Sequence, residues 1–193
     1  MAEQLTEIRW HGRGGQGAKT AATMVAEAAM EEGKFSQGFP EYGPERMGAP
    51  IRGFTRISDA PIRLHCPIDA PDVVIVLDAT LLDTEPIAEG LKKGGSVIVN
   101  TAESPAQLRK RLGLAEGHGK VYTVDATSIA IDEIGRPIPN TPMIGALCKV
   151  TAAMELETVF HDIKKKFLSK LGERGVQGNV NAVKRAYEEV QGE

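Results

Sequence analysis

The residues of this chain best suited to chemistry are crowded into one stretch, His11-Gly12-Arg13-Gly14-Gly15-Gln16-Gly17-Ala18-Lys19-Thr20. Four glycines there separate a short apolar strand, Ile8 to His11, from an alanine-rich segment through Ala21, Ala22, Ala26, Ala28 and Ala29 that reads as a helix. Glycine lets the backbone come close to a bulky anion, and a helix start offers unpaired N–H groups carrying partial positive charge. A phosphate or diphosphate suits such a turn. Gly12, Gly14 and Gly17 spell G-x-G-x-x-G in the strand-loop-helix setting that this motif requires. Arg13, set among these glycines, has the forked donor geometry that pairs with phosphate.

The dinucleotide form of the motif also needs an acid roughly 20 residues further on to hold the adenosine ribose. That region is Lys34-Phe35-Ser36-Gln37-Gly38-Phe39-Pro40, and its first acid, Glu41, lies beyond a proline. NAD is therefore disfavoured, an anionic carrier without that clamp, such as coenzyme A, stays open, and a tight turn with no ligand is the plain alternative. No G-x-S-x-G elbow, no H-E-x-x-H and no Walker spacing occurs, so no catalytic residue is assigned. A chain with a cofactor loop and no catalytic apparatus looks like one part of a larger enzyme.

These residues need a frame to hold them. Val73 to Leu77, Ser96 to Val99 and Lys120 to Val124 are continuous β-rich runs, the pattern of strands covered on both faces. Helical segments are expected between and after them at Glu85 to Lys93, Pro105 to Leu112 and Ser128 to Ile134, then Pro142 to Met154, Leu156 to Leu171 and Val176 to Gln191. The fold class is α/β: an open, mostly parallel Rossmann-like sheet with helices on both faces and a helical C-terminal third, in one domain over 1–193. Phe35 to Phe39 is a short second strand, Glu41 to Pro50 a rigid loop, and Ile62 to Leu64 a hairpin arm. In Ile51 to Ile57 strict alternation puts Arg52, Phe54 and Arg56 on one face, which implies a bulge at Gly53 or a face that meets a partner. As an exposed basic strand, Arg52 and Arg56 are expected to matter for assembly. Ligands of such sheets sit beyond the carboxyl ends of the strands, where His11, Asp78, Asn100 and Asp125 fall; Asp78 and Asp125 serve equally well as helix N-caps.

Composition narrows the function further. The chain has 193 residues, a net charge of −3 and no basic run beyond Lys164-Lys165-Lys166, which argues against nucleic acid. It contains no apolar run long enough for a bilayer and no leader pattern, so a cytoplasmic protein without membrane contact is expected. Cys66 and Cys148 have no C-x-x-C spacing; neither zinc nor an iron–sulfur cluster is expected on this chain, and each reads as a small buried apolar residue.

The glycine block, together with Pro40 to Pro50, Asn140-Thr141-Pro142-Met143-Ile144-Gly145-Ala146-Leu147, and Asn179 with Ala182, Arg185, Tyr187 and Glu188, resembles the gamma subunit of 2-oxoacid:ferredoxin oxidoreductases over nearly the whole chain. The resemblance implies a heteromeric enzyme of anaerobic metabolism that turns a 2-oxoacid and coenzyme A into acyl-CoA and carbon dioxide, passing two electrons to ferredoxin. It implies alpha, beta and delta-type partners that carry thiamine diphosphate, magnesium and [4Fe-4S] clusters, with a flavin-containing subunit as an alternative route to the acceptor. On this chain it implies coenzyme A held by Gly12, Arg13, Gly14, Gly15, Gln16, Gly17 and Thr20. Glu45, Arg46 and Met47 would face the thiamine site or a neighbouring subunit. A second arginine commonly stands at the position of Met47, so the methionine hints at an aromatic 2-oxoacid such as phenylglyoxylate beside the commoner pyruvate. A stand-alone NAD(P)-dependent dehydrogenase and a purely structural subunit are the competing functions.

Overall fold

A computed structural model describes residues 5–41, 47–151 and 153–193. Seven strands form one sheet in the order β2-β3-β1-β4-β5-β6-β7. β1 (Leu5–Arg13), β4 (Val73–Val76), β5 (Ser96–Asn100) and β6 (Lys120–Val124) are mutually parallel. β3 (Pro50–Ser58) runs antiparallel between β1 and β2 (Phe35–Pro40), and β7 (Gln191–Gly192) is an antiparallel edge. α1 (Ala18–Glu31) therefore carries the chain from β1 over to β2, two strands away and parallel to it, with β3 inserted later.

Strand alternation sorts the core into two layers. Ile8, Trp10, Ile75, Leu77 and Ile98 point to the face covered by α1, α4 (Asn140–Val150) and α5 (Leu156–Glu189), with α3 (Ala126–Ile134) at its edge. Val74, Val76, Val97, Val99 and Val121 point to the opposite face, covered by α2 (Pro105–Leu112) and a short 3-10 helix, Ala79–Asp83. The alanines of α1 allow it to lie directly on the sheet. A Cβ on Gly38 would meet the Ala22 carbonyl at 2.7 Å, and the Thr55 hydroxyl donates to that same carbonyl at 2.9 Å while accepting from the Trp10 indole at 3.1 Å.

Several expectations are corrected. No helix spans Glu85 to Lys93; the segment turns instead, and the buried Arg9 guanidinium draws the Ile87 and Glu89 carbonyls to itself, at 3.1 and 2.6 Å for Nη2. A helix would have used those carbonyls internally. Ile62 to Leu64 pairs with no strand. The β1–β3 and β2–β3 registers run without interruption, so there is no bulge at Gly53, and Arg52, Phe54 and Arg56 do share a face. Arg56 is not an exposed basic residue: it is 1% exposed and paired with Glu7 at 3.0 Å beneath the segment carrying Pro67. Cys66 is exposed, whereas Cys148 is buried, which pushes its thiol up to about 12. The C-terminal helices begin or end within a few residues of expectation, α4 closing at Val150 and α5 breaking at Gly172, where φ is 66° and ψ −178°.

α4 and α5 meet at Gly145, where an added Cβ would collide with the Val183 carbonyl. Backbone cannot step aside as a side-chain tip can. Gly145→Ala is expected to cost on the order of 3 kcal/mol, lowering the thermal midpoint by roughly 10 °C; a midpoint within about 2 °C of the parent, judged on that same scale, would contradict this close approach.

Candidate functional site

The glycine turn lies at the carboxyl edge of the sheet because β1 ends at Arg13 and α1 begins at Ala18, just after Gly17. Gly15 and Gly17 have φ of 99° and 84°, a region that side chains other than glycine's enter at a cost of about 1–3 kcal/mol. Gly12 has ordinary φ but serves packing, since its Cβ would stand 3.2 Å from Leu77 and 3.3 Å from Ala18. Gly17 is the N-cap and offers no side chain, so the first N–H groups of α1 are not capped from within the helix. Beyond them opens a cleft of about 430 Å³ lined by Gly14, Gly15, Gly17, Lys19, Thr20 and Met47, among others.

The side chains of Arg13 and Gln16 are turned inward to hold the turn. The Gln16 carbonyl oxygen accepts from the Arg13 backbone N–H at 2.8 Å, and its amide donates to Asp78 at 2.7 Å. Arg13 Nη2 donates to the Thr80 hydroxyl at 2.8 Å, Nη1 donates to the Gly48 carbonyl at 3.1 Å, and Nε lies 3.3 Å from Asp78. Backbone bonds between Gly14 and Gly48–Ala49 close the other side, at 2.9 and 3.2 Å. Burial works against ionisation of Asp78, yet hydrogen bonds from Thr80 and Gln16 and the charge of Arg13 outweigh it and hold its carboxyl below the usual range. The N-cap role also holds, since Asp78 accepts from the Thr80 N–H at 3.0 Å.

The other rim residues separate from this group. Asn100 ties β5 to the Leu77 carbonyl and to Thr127, and Asp125 caps α3 by accepting from the Ser128 N–H. His11 is 4% exposed and accepts from Arg9 Nε at 3.0 Å. Burial, with the positive charges of Arg9 and Arg52, lowers its pKa to about 3, so the ring stays neutral. Met47 is 91% exposed at the mouth of the cleft, while Glu45 and Arg46 lie outside the described residues. Glu41, the first acid after β2, is held by Arg52 through two bonds, one of 2.6 Å from Nε. Among the described residues no three His, Cys, Asp or Glu side chains converge as metal ligands, and no helix is long and apolar enough to cross a membrane. The side chains present therefore do not fit an iron–sulfur cluster.

Sequence reasoning did not find the contact between Gly17 and Asn140, the first residue of α4: a Cβ on Gly17 would come 2.5 Å from the Asn140 amide nitrogen. The only sequence signal was that Asn140 opens a block of small and apolar residues, with nothing in it that points to position 17.

A strand, a glycine-rich turn and an alanine-rich helix at the carboxyl end of an interior strand of a part-parallel sheet define a Rossmann-like α/β protein whose candidate site is framed by backbone. The sequence matches the pyruvate ferredoxin/flavodoxin oxidoreductase family over residues 7–189, and the chain belongs to that family, among its gamma-type subunits. It is similar to pyruvate synthase subunit PorC of Thermotoga maritima, 50% identical over 190 residues that cover 98% of this chain and 97% of the relative. It is also similar to the pyruvate/ketoisovalerate oxidoreductases common subunit gamma of Thermococcus kodakarensis, 49% identical over 183 residues covering 95% and 96%. The crystal structure of the Thermotoga maritima pyruvate oxidoreductase subunit PORC superposes with a TM-score of 0.86 at 47% identity, covering 98% of each chain. The chain is thus a subunit of a multi-subunit oxidoreductase, in a family whose complexes use coenzyme A as a substrate.

Proposed function

We propose that this chain is the coenzyme-A-facing gamma subunit of a cytoplasmic complex that oxidises pyruvate with coenzyme A to acetyl-CoA and carbon dioxide, two electrons leaving to ferredoxin. The observation that carries this reading is the uncapped start of α1 opening on a cleft through Gly14, Gly15, Gly17 and Thr20, with no free acid, among the described residues, where a nicotinamide ribose would need one. Glu41 is engaged by Arg52, which weighs against the dehydrogenase alternative. Thiamine diphosphate, magnesium and [4Fe-4S] clusters belong, in this reading, to alpha, beta and delta-type partners. The relative named as common to pyruvate and ketoisovalerate oxidoreductases supports assigning the choice of acid to those partners rather than to Met47.

Gly14→Val places a branched side chain in the turn that the phosphates must approach. It is expected to raise the KM for coenzyme A about tenfold or more in the assembled complex, with subunit association retained. Unchanged coenzyme A kinetics in an intact complex would leave the purely structural subunit as the better description.

A further inference from the structure

Arg56 lies buried in β3 with its guanidinium held on three sides. Nε donates to Glu7 at 3.0 Å, Nη2 donates to the Pro67 carbonyl at 3.4 Å, and the centre of the Phe39 ring lies 5.6 Å from Cζ. The side chain is 1% exposed, and its Nη1 has no acceptor among the described residues. Gln37 stands opposite Arg56 in the β2–β3 register and leaves a buried Oε1 without a donor among those residues. A donor and an acceptor on neighbouring residues are thus sealed from water and unmatched. Buried polar atoms are seldom left so, because the lost hydration is not repaid.

The same guanidinium reaches a thiol. Nη2 also donates to Cys66 Sγ at 3.8 Å, on the coil that covers this face of the sheet. Cys66 is exposed, so a small solute approaches it from water while its sulfur rests against a buried positive charge. Exposed thiols in electropositive surroundings are the ones that oxidise selectively. The other cysteine, Cys148, is buried on α4 in the layer over the opposite face, with the sheet between the two. It cannot close a disulfide on Cys66.

We propose that Cys66 is an oxidation site for hydroperoxides, at which the buried Arg56 holds the oxygen that the sulfur gains. The sulfur attacks the terminal peroxide oxygen, the S–O bond forms as the O–O bond breaks, and the departing oxygen takes the thiol proton and leaves as water or an alcohol. Sulfur is oxidised by two electrons and the peroxide is reduced by two. The guanidinium stabilises the charge that the breaking bond sheds on oxygen, which speeds the step. The product is a sulfenic acid, whose O–H group both accepts and donates, the two roles that Arg56 Nη1 and Gln37 Oε1 leave open. Arg56 pairs with Glu7, toward the end of β1 away from the glycine turn, so the site stands apart from the coenzyme A cleft and does not depend on that reading.

The test uses the assembled complex, prepared without oxygen and given excess hydrogen peroxide, with dimedone present to trap sulfenic acid and mass spectrometry to place the label. Cys66 is expected to carry the adduct and Cys148 none. The labelling rate at Cys66 is expected to exceed that of a synthetic peptide of residues 62–70 by about tenfold or more. Arg56→Lys, which keeps a positive charge near Glu7 but removes the forked donors, should bring the rate down toward that of the peptide. No adduct on Cys66, labelling no faster than the peptide, or a rate untouched by Arg56→Lys in an intact complex would each overturn the proposal. Should Arg56→Lys fail to assemble, the comparison of parent with peptide decides alone.

Discussion

Replacing Asp78 with alanine is expected to lower kcat/KM for coenzyme A by about a hundredfold in the assembled complex, a loss near 2.7 kcal/mol. The carboxylate is the point to which the glycine turn is tied. It accepts from Gln16, lies beside the Arg13 guanidinium and caps the 3-10 helix that carries Thr80. Removing it leaves the Gln16 amide and one edge of Arg13 without their charged acceptor, and hydrogen bonds to charged groups contribute about 1.5–3 kcal/mol each. The turn would then sample positions in which its N–H groups no longer converge. Asp78→Asn keeps an acceptor for the Thr80 N–H and should lose less. Steady-state kinetics with coenzyme A varied will decide, and parent-like values in a folded Asp78→Ala complex would show that the turn holds its shape without this anchor.

His11→Gln is expected to flatten the acid limb of the stability profile. The folded ring titrates at about 3 because burial and the nearby Arg9 and Arg52 charges oppose a proton. Free of the fold, a histidine titrates near 6.5. Above that pH both states are neutral and the difference contributes nothing. As pH falls through 6.5 toward 3, the unfolded chain takes up a proton that the folded chain refuses, so stability is lost over that window, on the order of 5 kcal/mol in all. Asp78, with its depressed carboxyl, contributes stability that is lost only at lower pH, as the solution falls through the ordinary aspartate range and below. Urea midpoints at pH 7 and pH 4.5 therefore isolate the histidine: the parent should lose about 2 to 3 kcal/mol more than His11→Gln between them. Glutamine is chosen because its carbonyl can still accept from Arg9 Nε, which histidine accepts from at 3.0 Å. Equal losses in the two proteins would mean that the ring is protonated in the fold.

Much of the site was legible from local pattern. The glycine spacing after a short strand foretold the turn, and Gly15 and Gly17 do take the left-handed backbone that only glycine enters easily. The alternation of Arg52, Phe54 and Arg56 was also read correctly, but not where that face goes. It is covered by coil that buries Arg56 and Arg9: Arg9 is bonded to the Ile87 and Glu89 carbonyls, while Arg56 pairs with Glu7 and the Pro67 carbonyl. The same contacts explain the absent helix at Glu85 to Lys93. A helical pattern in sequence lost to a buried guanidinium 78 residues away.

By itself, then, the sequence determined the α/β class, the β1–turn–α1 start, the parallel strands β4, β5 and β6 and the helical C-terminal third, because these follow from residue type and spacing along a few turns of chain. Tertiary structure alone decided that Gln16 and Arg13 face Asp78, that Asn140 stands beside Gly17 and that Glu41 is taken by Arg52. Each of those pairings joins residues that only the crossing of strands and helices brings within hydrogen-bonding distance, and side-chain partners at that separation leave no periodicity to read.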